Sequence, residues 1–243
     1  MTIDNQPALS RISAYLRANM VRSNASRLTP FTVSLDAGSA EPCRNYAMPD
    51  DHAEADPASI MALICLFKAR RRIPRFEYFP EMAPDLLLYL QWEGFRSERA
   101  LTVMAGVEPA GPKLEDIPDI EWHLTRSPKD LAMTAQLSDG DGLQQTVRDG
   151  GAVALVRSRQ TGQVLAKGLI RPASDGVAEI AAIGLGETAE RHGMQSVLAA
   201  FLTRHAIDAG IGLPFLMAAS DAEARFYARA GFQRVGTMMH STR

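Results

Sequence analysis

Residues 178–198 read Ala-Glu-Ile-Ala-Ala-Ile-Gly-Leu-Gly-Glu-Thr-Ala-Glu-Arg-His-Gly-Met-Gln-Ser-Val-Leu. An apolar strand here runs through a loop straight into a helix whose first turn is Gly193-Met194-Gln195-Ser196. The first amides of a helix have no partner inside it, and they point along the positive end of its dipole. Such a turn is a natural cradle for a phosphate, and glycine at 193 lets a ligand reach the backbone with no Cβ in the way. A second group follows at Ser220-Asp221-Ala-Glu-Ala-Arg-Phe226-Tyr227-Ala-Arg-Ala-Gly231-Phe232. It puts a phenol on a short helix that a glycine ends. The plainer alternatives are a helix-start glycine at 193 and an amphipathic-helix tyrosine that packs its ring and exposes its hydroxyl.

The elements around these groups follow from periodicity and punctuation. In the C-terminal half, Ile120, Trp122 and Leu124 alternate with polar neighbours as a strand does, and Ser127-Pro128 opens a helix. Residues 151–159 and 163–171 are apolar strands around Gln160-Thr161-Gly162, a hairpin signal, and Asp175-Gly176 leads into a strand over 177–185. Met194, Val197, Leu198, Phe201 and Leu202 fall on one helical face of 193–209. Leu213–Ala218 reads as a strand, Ser220 and Glu223 have capping-box spacing for a helix to Ala230, and a last strand follows Gly231-Phe232.

The N-terminal half gives a helix over 8–22, with Leu9, Ile12, Leu16 and Met20 at helical spacing, and strands at 31–35 and 43–48. Asp56-Pro57 starts a helix ending near Arg72, with Arg70, Arg71 and Arg72 as a solvated C-terminal end. A strand over 75–79, a helix over 84–93, Gly94 and a strand over 96–104 complete it. Tyr89-Leu-Gln-Trp-Glu-Gly94-Phe95 and Phe226-Tyr227-Ala-Arg-Ala-Gly231-Phe232 lie 137 residues apart, which reads as an internal repeat. Residues 107–118 are rich in proline and glycine and read as a linker between residues 1–106 and 119–243.

The C-terminal half resembles the GNAT superfamily of acyl-CoA-dependent N-acyltransferases. Ala178-Glu179-Ile180 match the start of that family's central motif, Ile183 and Leu185 its two valine positions, Gly193 its second glycine and Met194 the isoleucine that follows. The motif's arginine position holds Glu190, its proline position Glu187, and its last small residue Gln195. Phe226-Tyr227-x3-Gly231-Phe232 matches the family's later segment, and the likeness covers about residues 119–240. The fold it implies is α/β of the α+β type, a mixed, mostly antiparallel sheet flanked by helices. It implies acetyl-CoA as co-substrate, with backbone groups of Ile183, Gly184 and Leu185 along the pantetheine arm and the amides of Arg191, His192, Gly193, Met194, Gln195 and Ser196 on the pyrophosphate. Ser220 joins this binding set. Tyr227 would supply the proton for the departing thiolate, and Glu179 is the candidate base for the attacking amine. Glu179 also reads as a charge that solvates a strand end. The N-terminal half resembles a degenerate lobe of the same fold, with Leu90 where Tyr227 stands in the other.

Composition bounds the rest. The chain has 243 residues, 46% hydrophobic and 22% charged, with a net charge of −2, the balance of a globular protein. Residues 1–110 hold 12 basic and 13 acidic side chains and the remainder 14 and 15, so neither half has the basic excess that favours nucleic acid or anionic membrane. There is no apolar run near the ~20 residues of a membrane span and no secretory signal. Two cysteines, Cys43 and Cys65, form no disulfide framework, and the five histidines show no metal-ligand spacing, so a cytoplasmic protein without a metal site is expected. The expected activity is transfer of acetyl to an amine of a small molecule or a protein; a non-catalytic acyl-CoA-binding regulator is the alternative. The acceptor and the oligomeric state carry no readable code.

Overall fold

A computed structural model describes residues 4–22, 25–54, 56–106, 108–111, 113–126, 143–185 and 194–243, with the backbone alone at 21–22 and 182–185. The chain forms two compact units. The first holds Asn5–Val103 together with Val235–Arg243, and the second holds Met104–Arg234. The elements are α1 (Asn5–Arg22), β1 (Ser26–Leu28), β2 (Phe31–Leu35), β3 (Asn45–Pro49), α2 (Pro57–Ala69), β4 (Arg75–Tyr78), α3 (Leu86–Trp92), β5 (Arg96–Gly106), β6 (Ile120–Thr125), α4 (Leu143–Arg148), β7 (Ala152–Ser158), β8 (Val164–Ile170), β9 (Val177–Leu185), α5 (Met194–Asp208), β10 (Leu213–Ala218), α6 (Asp221–Arg229) and β11 (Phe232–Thr242). This is the mixed, mostly antiparallel α/β architecture expected. No described helix is long and apolar enough to cross a membrane.

In the first unit β1, β2 and β3 pair antiparallel, β3 and β4 parallel, and β4 pairs antiparallel with β11 through Met239↔Tyr78 to Thr242↔Arg75. Phe31, Phe76, Tyr78, Ile60, Leu63, Phe67, Leu86 and Leu90 form the core under α2 and α3. Asp56 caps α2 by accepting from the Ser59 amide at 2.7 Å, with Pro57 at the first position. Asp51 holds α1: it accepts from Ser10 Oγ at 2.9 Å, Ser13 Oγ at 2.7 Å and Arg17 Nη1 at 2.6 Å. Burial acts to raise the Asp51 pKa, but Arg17 and Ser13 outweigh it and hold the carboxyl below its usual range. Arg72 is not a solvated helix end. Its Nη2 donates to the Asp36 and Ala37 carbonyls at 2.7 and 3.1 Å and so fixes the loop after β2.

In the second unit β6, β7, β8 and β9 pair antiparallel and β9 pairs parallel with β10. The unbroken apolar run of β7 has two destinations. Ala152, Ala154 and Val156 face the cluster of α5, with Val197, Leu198, Phe201 and Leu202. Val153 and Leu155 face Leu143 and Val147 of α4 on the other side. A strand covered by a helix on each face has no polar side to show, hence the run. The helix expected from Ser127-Pro128 lies outside the described residues.

The repeat is visible in the backbone. Strand, helix, glycine, strand recurs as β4-α3-Gly94-β5 and β10-α6-Gly231-β11, and both glycines have positive φ, 80° and 93°. That left-handed turn is what lets each helix stop and each strand begin at once.

Candidate active site

Strands β9 and β10 start side by side and then part. Their ladder runs Leu213↔Val177, Pro214↔Ala178, Phe215↔Glu179 and, among the described residues, stops there. β10 continues to Ala218 and β9 to Leu185. On its other edge β9 keeps pairing with β8, but the register shifts: Leu169 faces Ala181 while Lys167 faces Gly184, one extra residue on β9. A bulge of this kind bends a strand and raises its twist, which turns β9 out of line with β10. The result is a fork whose last closed rung is Glu179–Phe215. Ile183, Gly184 and Leu185, the residues expected to pair with an extended ligand, lie on the open part of β9.

Helix α5 begins at Met194. Its amides at 194–196 belong to the first turn and point along the positive end of the helix dipole. The side chain of Met194 is 1% exposed, in the core beneath the helix, so only its backbone can meet a ligand. Gln195 and Ser196 are half-buried. Arg191, His192 and Gly193 lie outside the described residues.

Tyr227 is 4% exposed on α6 and sits in the cluster that contains Ala178 and Ile180 of β9. Its hydroxyl donates to Glu223 Oε1 at 3.1 Å and accepts from Gln195 Nε2 at 2.9 Å. The same Gln195 nitrogen donates to Glu223 Oε1 at 3.0 Å, closing a three-membered network between the two helices. The other carboxylate oxygen, Glu223 Oε2, accepts from the Ala219 amide at 2.6 Å. Burial pushes the phenol well above its ordinary pKa; the Gln195 hydrogen bond opposes this, and the charge of Glu223 adds to it. Tyr227 is therefore a neutral phenol with its proton in place, the form an acid requires.

Glu179 is on the other side of the sheet. Ala178 and Ile180 face α5, so the alternation of β9 turns Glu179 and Ala181 toward the face of α4, where Ala181 packs on Leu155 and Leu169. Its Oε2 is 3.0 Å from Arg171 Nε, and its carbonyl accepts from the Arg171 amide at 2.8 Å. Ser220 is exposed, and its Oγ caps α6 by accepting from the Glu223 amide at 3.1 Å. Glu223 does not complete the expected capping box. Its carboxylate turns to Ala219, Gln195 and Tyr227 instead. Its spacing was legible, but its partner on α5 is 28 residues away and leaves no local trace.

His205 stacks edge-on against Phe201, ring centroids 4.3 Å apart, and burial lowers its pKa. Beside it is a solvent-open pocket of about 310 Å3 between Gly150–Ala152, Ile170 and Ala206. Its two arginines are engaged in holding the fold: Arg126 donates to the His205 carbonyl near the end of α5 at 3.1 Å, and Arg171 pairs with Glu179.

No family model matches the sequence. A search of curated proteins also gives no match. Solved structures do match the fold. A GCN5-related N-acetyltransferase from Kribbella flavida is 20% identical over 96% of this chain and 94% of its own, with a TM-score of 0.78. A tandem GNAT protein from the clavulanic acid biosynthesis pathway is 12% identical over 88% of this chain and 78% of its own, with a TM-score of 0.61. A GCN5-related N-acetyltransferase-like protein from Streptococcus suis is 13% identical over 88% of this chain and 84% of its own, with a TM-score of 0.58. The chain has the GNAT fold.

Proposed function

We propose that this GNAT-fold chain is an acyltransferase that moves acetyl from acetyl-CoA to an amine, with the chemistry in the second unit. One observation carries the reading: β9 and β10 part directly after the Glu179–Phe215 rung, in the same unit as a neutral, buried Tyr227. A forked strand edge suits an extended amide-bearing arm, because the open β9 backbone offers the hydrogen bonds a neighbouring strand would have taken. The first-turn amides of α5 suit a pyrophosphate. The donor set thus fits acyl-CoA, which supplies an activated thioester.

Each protein group then has a task. The β9 edge and the α5 start hold and orient one reactant, and positioning of this kind supplies much of the acceleration in a two-substrate reaction. Glu179, at the fork on the α4 face, takes the proton that the amine must shed. Tyr227, from the α5 face, donates a hydrogen bond and then a proton where the thiolate leaves. The acceptor is a small-molecule or protein amine. The first unit has Leu90, a buried aliphatic, at the place equivalent to Tyr227, which supports a non-catalytic lobe. Two free, exposed thiols, Cys43 and Cys65, favour a reducing compartment such as the cytoplasm.

Calorimetry with acetyl-CoA, followed by thiol release against a panel of amines, tests the reading. Binding and amine-dependent release are expected. No heat at millimolar acetyl-CoA overturns it.

A further inference from the structure

Gln195 stands where the resembling motif has glycine or alanine, and its half-buried side chain is tied to α6. Its amide nitrogen reaches Tyr227 Oη at 2.9 Å and Glu223 Oε1 at 3.0 Å. A glutamine amide carries two N–H donors, so both bonds are made at once. Glu223 is fixed in turn by the Ala219 amide at 2.6 Å and by the helix that Ser220 caps. At rest the hydroxyl of Tyr227 gives its hydrogen to Glu223 and a lone pair to Gln195.

We infer that Gln195 is a positioning residue for Tyr227: its amide holds the phenol oxygen and stabilises the charge that grows there as the proton leaves. The inference rests on the acyltransferase reading and names what prepares its acid. In that step the Tyr227 hydroxyl turns its hydrogen from Glu223 to the sulfur, the O–H bond breaks, an S–H bond forms on the departing thiolate, and the negative charge passes to the phenol oxygen. The Gln195 N–H then becomes a bond to a charged acceptor, which is about twice as strong as one to a neutral acceptor. A proton from solvent, matching the one shed by the amine, restores the phenol. Glu223 works in the opposite sense. It holds the hydrogen at rest and repels a phenolate, so Gln195 offsets the disadvantage of a carboxylate 3.1 Å from the acid. The larger side chain at the motif's small position thus has a partner: from the first turn of α5 it spans to Glu223 and Tyr227 of α6.

Gln195→Met keeps the side-chain length and the backbone amide and removes the donors. In the parent background it is expected to lower kcat about tenfold while acetyl-CoA affinity by calorimetry stays within twofold. In a Tyr227→Phe background the same change is expected to have no further effect on kcat, because the group it serves is gone. Multiplicative losses in the double variant, or a loss of affinity in place of rate, overturn the inference and leave Gln195 as a cofactor contact. A second readout needs no acceptor. With tyrosine labelled at the ring carbon bearing oxygen, the Tyr227 resonance is assigned by its disappearance in Tyr227→Phe. Gln195→Met should move that resonance and leave the other four tyrosines in place. An unmoved resonance overturns the inference even in an active enzyme. A moved resonance in a parent that binds no acetyl-CoA overturns the acyltransferase reading and reduces the network to a structural contact between α5 and α6.

Discussion

Glu179 and Tyr227 address opposite faces of one sheet, either side of the place where β9 and β10 separate. In the proposed reaction they are assigned its two proton transfers, from the attacking amine and to the leaving sulfur.

Removing the phenol oxygen should cost rate without costing binding. Tyr227→Phe is expected to lower kcat for thiol release by about 10²–10⁴-fold, the usual range for a positioned acid, with acetyl-CoA affinity within twofold. Gln195 and Glu223 keep their bond to one another, so stability should fall by only about 1 kcal/mol. Burial raises the Tyr227 pKa, so the acid form persists above the ordinary tyrosine range. The parent should show no falling basic limb from this group below about pH 10. Turnover unchanged in Tyr227→Phe removes the phenol from the mechanism.

Glu179→Gln keeps the size and the contact with Arg171 but loses the base. A fall in kcat of at least about tenfold is expected, largest where the amine is mostly protonated. Equal rates across the pH range would leave Glu179 as a strand-end ion pair and nothing more.

Asp51 gives the first unit an acid-sensitive anchor. Its carboxyl titrates below the usual aspartate range in the folded state, so the fold prefers the ionised form. The stability it contributes is present above the unfolded-state pKa and is lost as pH falls through the folded-state value. Asp51→Asn should destabilise by about 1–3 kcal/mol at pH 7, in denaturant melts read on the first unit, and by much less once the parent carboxyl is protonated. A deficit independent of pH would assign the effect to packing.

Gly231 admits no side chain. Its φ is 93°, and a methyl there would collide with the carbonyl of Glu108. Gly231→Ala should therefore cost at least about 2 kcal/mol, the left-handed penalty plus a clash with backbone that cannot rotate away. A thermal midpoint within a degree of the parent would contradict this. At Gly94 a Cβ would meet only the Arg243 side chain, 3.8 Å away, so Gly94→Ala should cost less.

Long, periodic elements were readable from sequence, and short or distant relations were not. The α5 face of Met194, Val197, Leu198, Phe201 and Leu202 is buried as its spacing requires. β1 has three residues and α4 six, too few to show a period. Along α1, Leu9, Ile12 and Met20 are buried as their spacing requires. Tyr15 takes the buried place that the spacing gave to Leu16, which is only partly covered. Arg72 passed for a helix end because its acceptors, the carbonyls of Asp36 and Ala37, are backbone atoms that no residue type announces. Residue types placed Tyr227 on its short helix and Met194 at the start of α5. The role of Gln195 depends on α6 lying beside α5, a tertiary fact, and the fork depends on one extra residue in β9, which has no compositional signature.

The last nine residues belong to the unit built from the first hundred, with Met239 to Thr242 zipped against β4. A ribosome delivers the N-terminal elements first, yet this layer cannot be finished until position 243 has left the exit tunnel. During synthesis β4 must wait with one border open until residues 239–242 arrive to pair with it, so the sheet closes last at a pair of sequence-distant strands.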